Sequence, residues 1–154
     1  MAPDKRKSIL LEGLAVAMTE ARGIRTGLWV SGETQRLSPE VELALFRIAQ
    51  EALNNVAMHA EATEVVIDVR FEGNALEMSV HDNGKGFMLT MPVEELATTG
   101  HLGLIGMCER ARLSGGALTI QSQPRLGTKI LVTVPGAPTG PPENAEAGRR
   151  ADHD

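Results

Sequence analysis

Two stretches of alternating apolar and polar residues, separated by one turn, constrain this chain more than any other feature. In 64–71, Val65, Ile67, Val69 and Phe71 alternate with mostly polar residues; in 75–81, Leu76, Met78 and Val80 do the same. Successive side chains of a strand point to opposite faces, so a period of two predicts sheet strands that each bury one face. Gly73-Asn74 joins them with turn-forming residues. A sheet with one apolar face needs a second layer to cover it. Aromatic residues are scarce (one Trp, three Phe, no Tyr), so the core must be aliphatic.

Helical periodicity supplies that layer. Ile9, Leu10, Leu14, Met18 and Ala21 recur at helical spacing across 8–22, and Gly23 is a plausible stop. A short strand over 26–30 follows, with Gly32 turning the chain. Ser38-Pro39-Glu40 is a helix start: Ser38 can cap, Pro39 suits the first helical position, and Glu40 and Glu42 favour the positive end of the dipole. That helix runs to about Ala60 with the apolar stripe Val41, Leu45, Ile48, Ala49, Ala52 and Val56. A further helix is expected over 102–113, ended by Ser114-Gly115-Gly116, then strands over 117–122 and 128–134 around a turn at 124–127. Residues 88–101, with Pro92, Thr98, Thr99 and Gly100, read as a mobile loop. The order α-β-α-β-β-loop-α-β-β predicts one α+β domain over 8–136, a two-layer α/β sandwich with helices on one face of a mixed, mostly antiparallel sheet. Residues 1–7 and the Pro-, Gly-, Glu- and Ala-rich 137–154 are expected to be disordered.

Charge narrows the ligand. The net charge is −5, with no basic block and no aromatic stacking platform, which argues against nucleic acid. A small phosphate ligand stays open, because backbone N–H groups and a divalent metal can hold one. The single cysteine, Cys108, excludes an internal disulfide and suits a reducing compartment; it reads as a packed thiol. No apolar run approaches the ~18 residues of a membrane span. The basic start is followed by a stretch interrupted by Glu12 and Glu20, unlike a signal peptide. A cytoplasmic segment without membrane contact is the expectation.

Four patterns carry chemistry. Glu51, Asn55 and His59 fall at i, i+4 and i+8, on one helix face opposite the apolar stripe. An amide beside a carboxylate there suits an oxygen-ligated ion such as Mg²⁺; a solvated polar face explains it as well. Asp82-Asn83-Gly84-Lys85-Gly86-Phe87 follows a strand that would fix the carboxylate, and its glycines would let backbone approach a flat ligand. A buried carboxylate there would favour adenine through its 6-amino group; a tight turn or a calcium loop is the competing explanation. Gly100-His101-Leu102-Gly103-Leu104-Ile105-Gly106-Met107 leads into a helix, where free N–H groups attract anions. It is neither a P-loop nor a dinucleotide fingerprint, and simple helix capping also accounts for it. Gly127-Thr128 opens the last strand, alone no more than a turn. Lys85 reads as solvent-facing and Trp29 as a half-buried packing residue.

In this order, over 38–135, the four patterns together resemble the GHKL ATPases: gyrase, Hsp90-type chaperones, histidine kinases and MutL. The stretches 47–55 and 100–110 are similar to sensor histidine kinases of the nitrate-sensor class. The resemblance implies a Bergerat-type fold that binds ATP and Mg²⁺. It implies that Asn55 ligates Mg²⁺, that Asp82 reads the adenine amine with Thr128 in support, and that Glu51 polarises a water or the accepting group. Gly84, Gly86, Gly103 and Gly106 would shape the pocket and a lid over 88–101. Phe87, Leu104, Met107, His59, Gly100 and His101 complete the implied nucleotide-binding set, with His101 as a lid hinge, a phosphate contact or a structural residue.

Two departures from the family pattern stand out. Relatives carry Lys or Arg three residues after the Mg²⁺-binding Asn; here Met58 holds that place with His59 beside it, which predicts modest ATP affinity. The phosphoacceptor segment is also missing, since His59, His81 and His101 fall in or beside the site and His153 in the tail. The expectation is a catalytic-domain fragment, monomeric by itself. It would act on a histidine-bearing dimerisation hairpin of the same kinase and, through that, on a response regulator. A stand-alone serine kinase of the anti-sigma-factor type and a non-catalytic nucleotide-binding module are the alternatives.

Overall fold

The computed structural model describes residues 5–33, 37–89 and 102–136. Three α-helices, α1 (Lys5–Arg22), α2 (Pro39–Asn55) and α3 (Leu102–Leu113), accompany five strands, β1 (Arg25–Ser31), β2 (Glu64–Glu72), β3 (Ala75–Asp82), β4 (Ala117–Ser122) and β5 (Thr128–Pro135). The strands form one sheet in the order β1-β2-β3-β5-β4. β1 runs parallel to β2, and the other neighbours are antiparallel. The mixed, mostly antiparallel sheet predicted from the patterning is therefore present.

Strand parity builds the core. Ile67, Val80, Ile130 and Ile120 lie side by side across four strands, and Val69, Met78, Val132 and Leu118 form the next row. All but the half-buried Leu118 are buried. The helices close over this face. The predicted stripe of α2 is buried in full, together with Leu53, and α3 contributes Leu104, Met107 and Ala111 at helical spacing. Cys108 is half-buried and packed against the same core, as a structural thiol would be.

Local chemistry sets the element ends. Ser38 caps α2 with extended backbone, and its side chain accepts from the Val41 N–H at 3.2 Å. The Gly23 N–H closes α1 on the Thr19 carbonyl at 3.0 Å. α1 begins at Lys5, inside the stretch expected to be disordered, because Lys5, Arg6 and Lys7 are good helix formers and continue its first turn. Trp29 differs from expectation too. It is 66% exposed, because its parity on the edge strand β1 turns it away from the core that Leu28 and Val30 pack against.

The helix expected to reach Ala60 changes character. α2 ends at Asn55, a π turn spans Val56–Ala60, and Glu61 stops it in the left-handed region at φ 54. The Val56 N–H is shared between the Ala52 and Leu53 carbonyls, and the far end is pinned where the Ala60 carbonyl accepts from the Lys85 N–H at 2.8 Å. The expectations for 90–101 and 137–154 lie outside the described residues.

Candidate functional site

The core face ends in a polar row. Parity continues the inward series Leu76, Met78, Val80 to Asp82, the series Val134, Val132, Ile130 to Thr128, and the series Leu118, Ile120 to Ser122. Hydrophobic strands thus deliver three polar side chains to one end of the sheet. Asp82 is 5% exposed, the one buried polar or charged residue among those described. Its Oδ1 accepts from the Gly84 N–H at 2.8 Å, and the Thr128 N–H donates to the same carboxylate. Burial pushes the Asp82 carboxyl above its ordinary value, against the opposing pull of those two N–H groups and of nearby His81.

The turn after Asp82 is stitched down on both sides. Asn83 accepts from the Thr63 and Glu64 N–H groups, each at 3.0 Å, and its amide donates to the Thr63 hydroxyl at 2.9 Å. The Lys85 carbonyl accepts from the Arg125 N–H at 2.6 Å. This packing explains the two glycines better than ligand approach does. A β-carbon on Gly84 would overlap the Ala60 carbonyl, and one on Gly86, at φ +61, would overlap the Gln123 carbonyl. Gly84 is therefore a packing residue, whereas Gly86 also lines the cavity.

That cavity, about 500 Å³, lies between the polar row, the end of α2 and the start of α3. α2 and the π turn contribute Ala52, Asn55, Val56, His59 and Ala60 to its wall. The sheet and the Asp82 turn contribute Val80, Asp82, Lys85, Phe87, Thr128 and Ile130, and α3 contributes Gly103 and Leu104. The predicted residues Asn55, His59, Asp82, Gly86, Phe87, Gly103, Leu104 and Thr128 thus meet in one place. His59 gets there through the π turn, not along a continued α-helical face, and Met58 is left 58% exposed and off the wall.

Other predicted residues sit behind or outside the wall. Glu51 does not line the cavity; its carboxylate packs against Gly103, where a β-carbon would overlap Oε1. Met107 and Gly106 are absent from the wall as well. Met107 is fully buried on the stripe by which α3 faces the core. Gly100 and His101 lie outside the described residues. Lys85 is exposed, as expected, and also borders the cavity; sequence reasoning missed that second place, the apolar lining of Val80 and Ile130, and Ser122. Continuing the period-two count along each strand would have found Val80, Ile130 and Ser122.

Residues 40–138 match the family described as histidine kinase-, DNA gyrase B-, and HSP90-like ATPase. The signal transduction histidine-protein kinase/phosphatase DegS of Bacillus subtilis (strain 168) is 43% identical over 103 residues, covering 67% of this chain and 26% of DegS. The sensor histidine kinase LiaS of the same organism is 33% identical over 159 residues, covering 93% of this chain and 42% of LiaS. The chain thus spans about a quarter of DegS and less than half of LiaS. In fold it is similar to full-length ShkA in complex with AMPPNP, with a TM-score of 0.71 at 22% identity over 92% of this chain and 32% of that one.

Proposed function

The chain belongs to the histidine kinase-, DNA gyrase B- and HSP90-like ATPase family, and on that premise we propose that it is the ATP-binding catalytic domain of a sensor histidine kinase. The observation that carries the nucleotide reading is the cavity with a buried, doubly anchored Asp82 at its polar end and Asn55 across from it on α2.

The residues fit Mg-ATP. A volume of about 500 Å³ is in the range of sites for ligands of this size. The apolar side chains of Val80, Leu104, Ile130 and Phe87 suit the faces of a purine, and the Asp82 carboxylate suits its exocyclic amine. Among the described residues no three His, Cys, Asp or Glu gather into a metal cage. That suits Mg²⁺, which keeps waters and phosphate oxygens and asks the protein for one or two oxygen ligands, here the Asn55 amide. Bound Mg-ATP supplies the transferable phosphoryl group and the cation that neutralises its charge.

The chain's own residues position and polarise. Asp82 anchors the base end, Asn55 orients the phosphate end, and Lys85 is the one lysine or arginine in the described wall. Glu51 packs against Gly103 at the first turn of α3, where any larger residue would collide with its carboxylate, and this close fit is its proposed contribution to the phosphate side of the pocket. Catalysis of this kind rests on alignment and charge stabilisation and needs no covalent intermediate on this domain. The acceptor histidine belongs to a separate helical hairpin domain, and a response regulator takes the phosphoryl group afterwards. No described helix is long and apolar enough to cross a membrane, and the proposed place of action is the cytoplasm, where ATP is available.

The deciding experiment is phosphoryl transfer from Mg-ATP to a supplied hairpin domain, with Asn55→Asp as the inactive control. Calorimetry showing no binding at millimolar Mg-ATP would sink the proposal.

A further inference from the structure

The hydroxyl of Ser122 has more partners than any other side-chain hydroxyl among the described residues. Ser122 Oγ lies 2.9 Å from the Phe87 N–H that donates to it, 3.3 Å from the Gly127 carbonyl and 2.8 Å from Thr128 Oγ1. A serine hydroxyl has one proton and two lone pairs. The Phe87 N–H can only donate, so it takes one lone pair. The Gly127 carbonyl can only accept, so it takes the proton. Both hydroxyls satisfy every partner in one arrangement alone: Thr128 gives its proton to the second lone pair of Ser122. The reverse arrangement would strip the buried Gly127 carbonyl of the serine proton.

We propose that Ser122 is a specificity-determining positioning residue: by taking the Thr128 proton it leaves only lone pairs on that oxygen, so the polar end of the cavity accepts hydrogen bonds and selects a purine with an exocyclic amine. This rests on the adenine-nucleotide reading above and deepens it. Thr128 lines the cavity beside Asp82, and its N–H is already committed to the Asp82 carboxylate. Two acceptors side by side favour an NH₂ group, which has two hydrogens to give. A keto oxygen in the same place would face lone pairs and a carboxylate. Without Ser122 the Thr128 hydroxyl is free to rotate and to donate, and the discrimination weakens. The same hydroxyl holds Phe87 against the wall through its backbone, so one serine sets both the polarity and the shape of the base end.

The test is calorimetric binding of ATP and of inosine triphosphate, which has a 6-keto group, to the full 154-residue chain with Mg²⁺ present. Wild type is expected to prefer ATP. Ser122→Ala is expected to lower the ATP-to-inosine-triphosphate affinity ratio by about three- to tenfold, and Ser122→Thr, which keeps the hydroxyl, to restore it. A ratio unchanged in Ser122→Ala overturns the assignment, as does an equal loss for both triphosphates, which is what a merely structural role gives. If Ser122→Ala fails to fold, Ser122→Cys, whose sulfur is only a weak acceptor for the Thr128 proton, is read in the same way. A wild-type chain that binds neither triphosphate overturns the nucleotide reading and this inference together, whereas wild-type binding with an unmoved ratio overturns the Ser122 assignment alone.

Discussion

Asp82→Asn separates the recognition role of this residue from its structural one. The amide has the same shape, so the comparison turns on protons and charge. In wild type the carboxylate accepts from the Gly84 N–H at Oδ1 and from the Thr128 N–H, and its remaining lone pairs are available to a ligand amine. With asparagine there, either the amide NH₂ faces the ligand amine, donor against donor, or it flips and faces the two backbone N–H groups. At least one bond is lost in either orientation. Losing a hydrogen bond to a desolvated partner costs about 2–3 kcal/mol, so ATP affinity should fall about 30- to 150-fold. Folding stability should move far less, by about 1 kcal/mol, because the weaker anchoring is offset by removal of a buried charge. The pH dependence has a definite sign. The folded-state carboxyl titrates above its ordinary value, so the free protein's stabilisation from Asp82 is full below the unfolded value and is lost as pH rises through the folded one. Asp82→Asn should therefore look progressively less destabilised relative to wild type across that window. ATP affinity runs the other way and falls as pH drops through the raised value, and the wild-type-to-variant ratio cancels the titration of the triphosphate itself. Titration calorimetry with Mg-ATP and thermal melts across that range measure both. An Asp82→Asn chain that binds Mg-ATP within about threefold of wild type would refute the reasoning.

Three further outcomes are expected. Asn55→Ala should abolish the Mg²⁺-dependent part of ATP affinity, about tenfold, while shifting stability by no more than about 0.5 kcal/mol, read by calorimetry with and without a chelator. Lys85→Met should weaken ATP by about three- to tenfold and leave adenosine unchanged, because an exposed cation in the wall acts on the phosphates and not on the base. Gly84→Ala should destabilise the fold by about 1–3 kcal/mol in a thermal melt, because the new methyl overlaps the Ala60 carbonyl and that overlap is relieved only by moving backbone.

The fold was legible wherever one physical rule dominated. Period-two runs located β2 and β3 to within a residue, and Ser38-Pro39 located the start of α2 through cap geometry that the structure repeats. The end of α2 was not legible. No glycine or proline falls between Asn55 and Ala60 to mark a stop, so the sequence predicts continuation. The π turn arises from a tertiary contact, the Lys85 N–H on the Ala60 carbonyl, between residues far apart in the chain. Trp29 was misread for a related reason: a tryptophan's size argues for burial, but strand parity on an edge strand decides which side it occupies.

The site shows the same division more sharply. Residue types that announce chemistry, such as Asn55 and Asp82, were found because few other roles require them at those places. The residues that give them direction were not found, because their types are ordinary. A serine ending a strand has no signature in isolation. Yet the parity that turns Leu118 and Ile120 toward the core also carries Ser122 inward to Thr128, and the parity that buries Met78 and Val80 carries Asp82 inward beside it. The apolar alternation that specifies the sheet therefore also specifies where its polar row must fall. A hydrophobic pattern that stops one step short of the strand's end marks a polar residue held on the core face, and in this chain β3, β5 and β4 stop that way side by side.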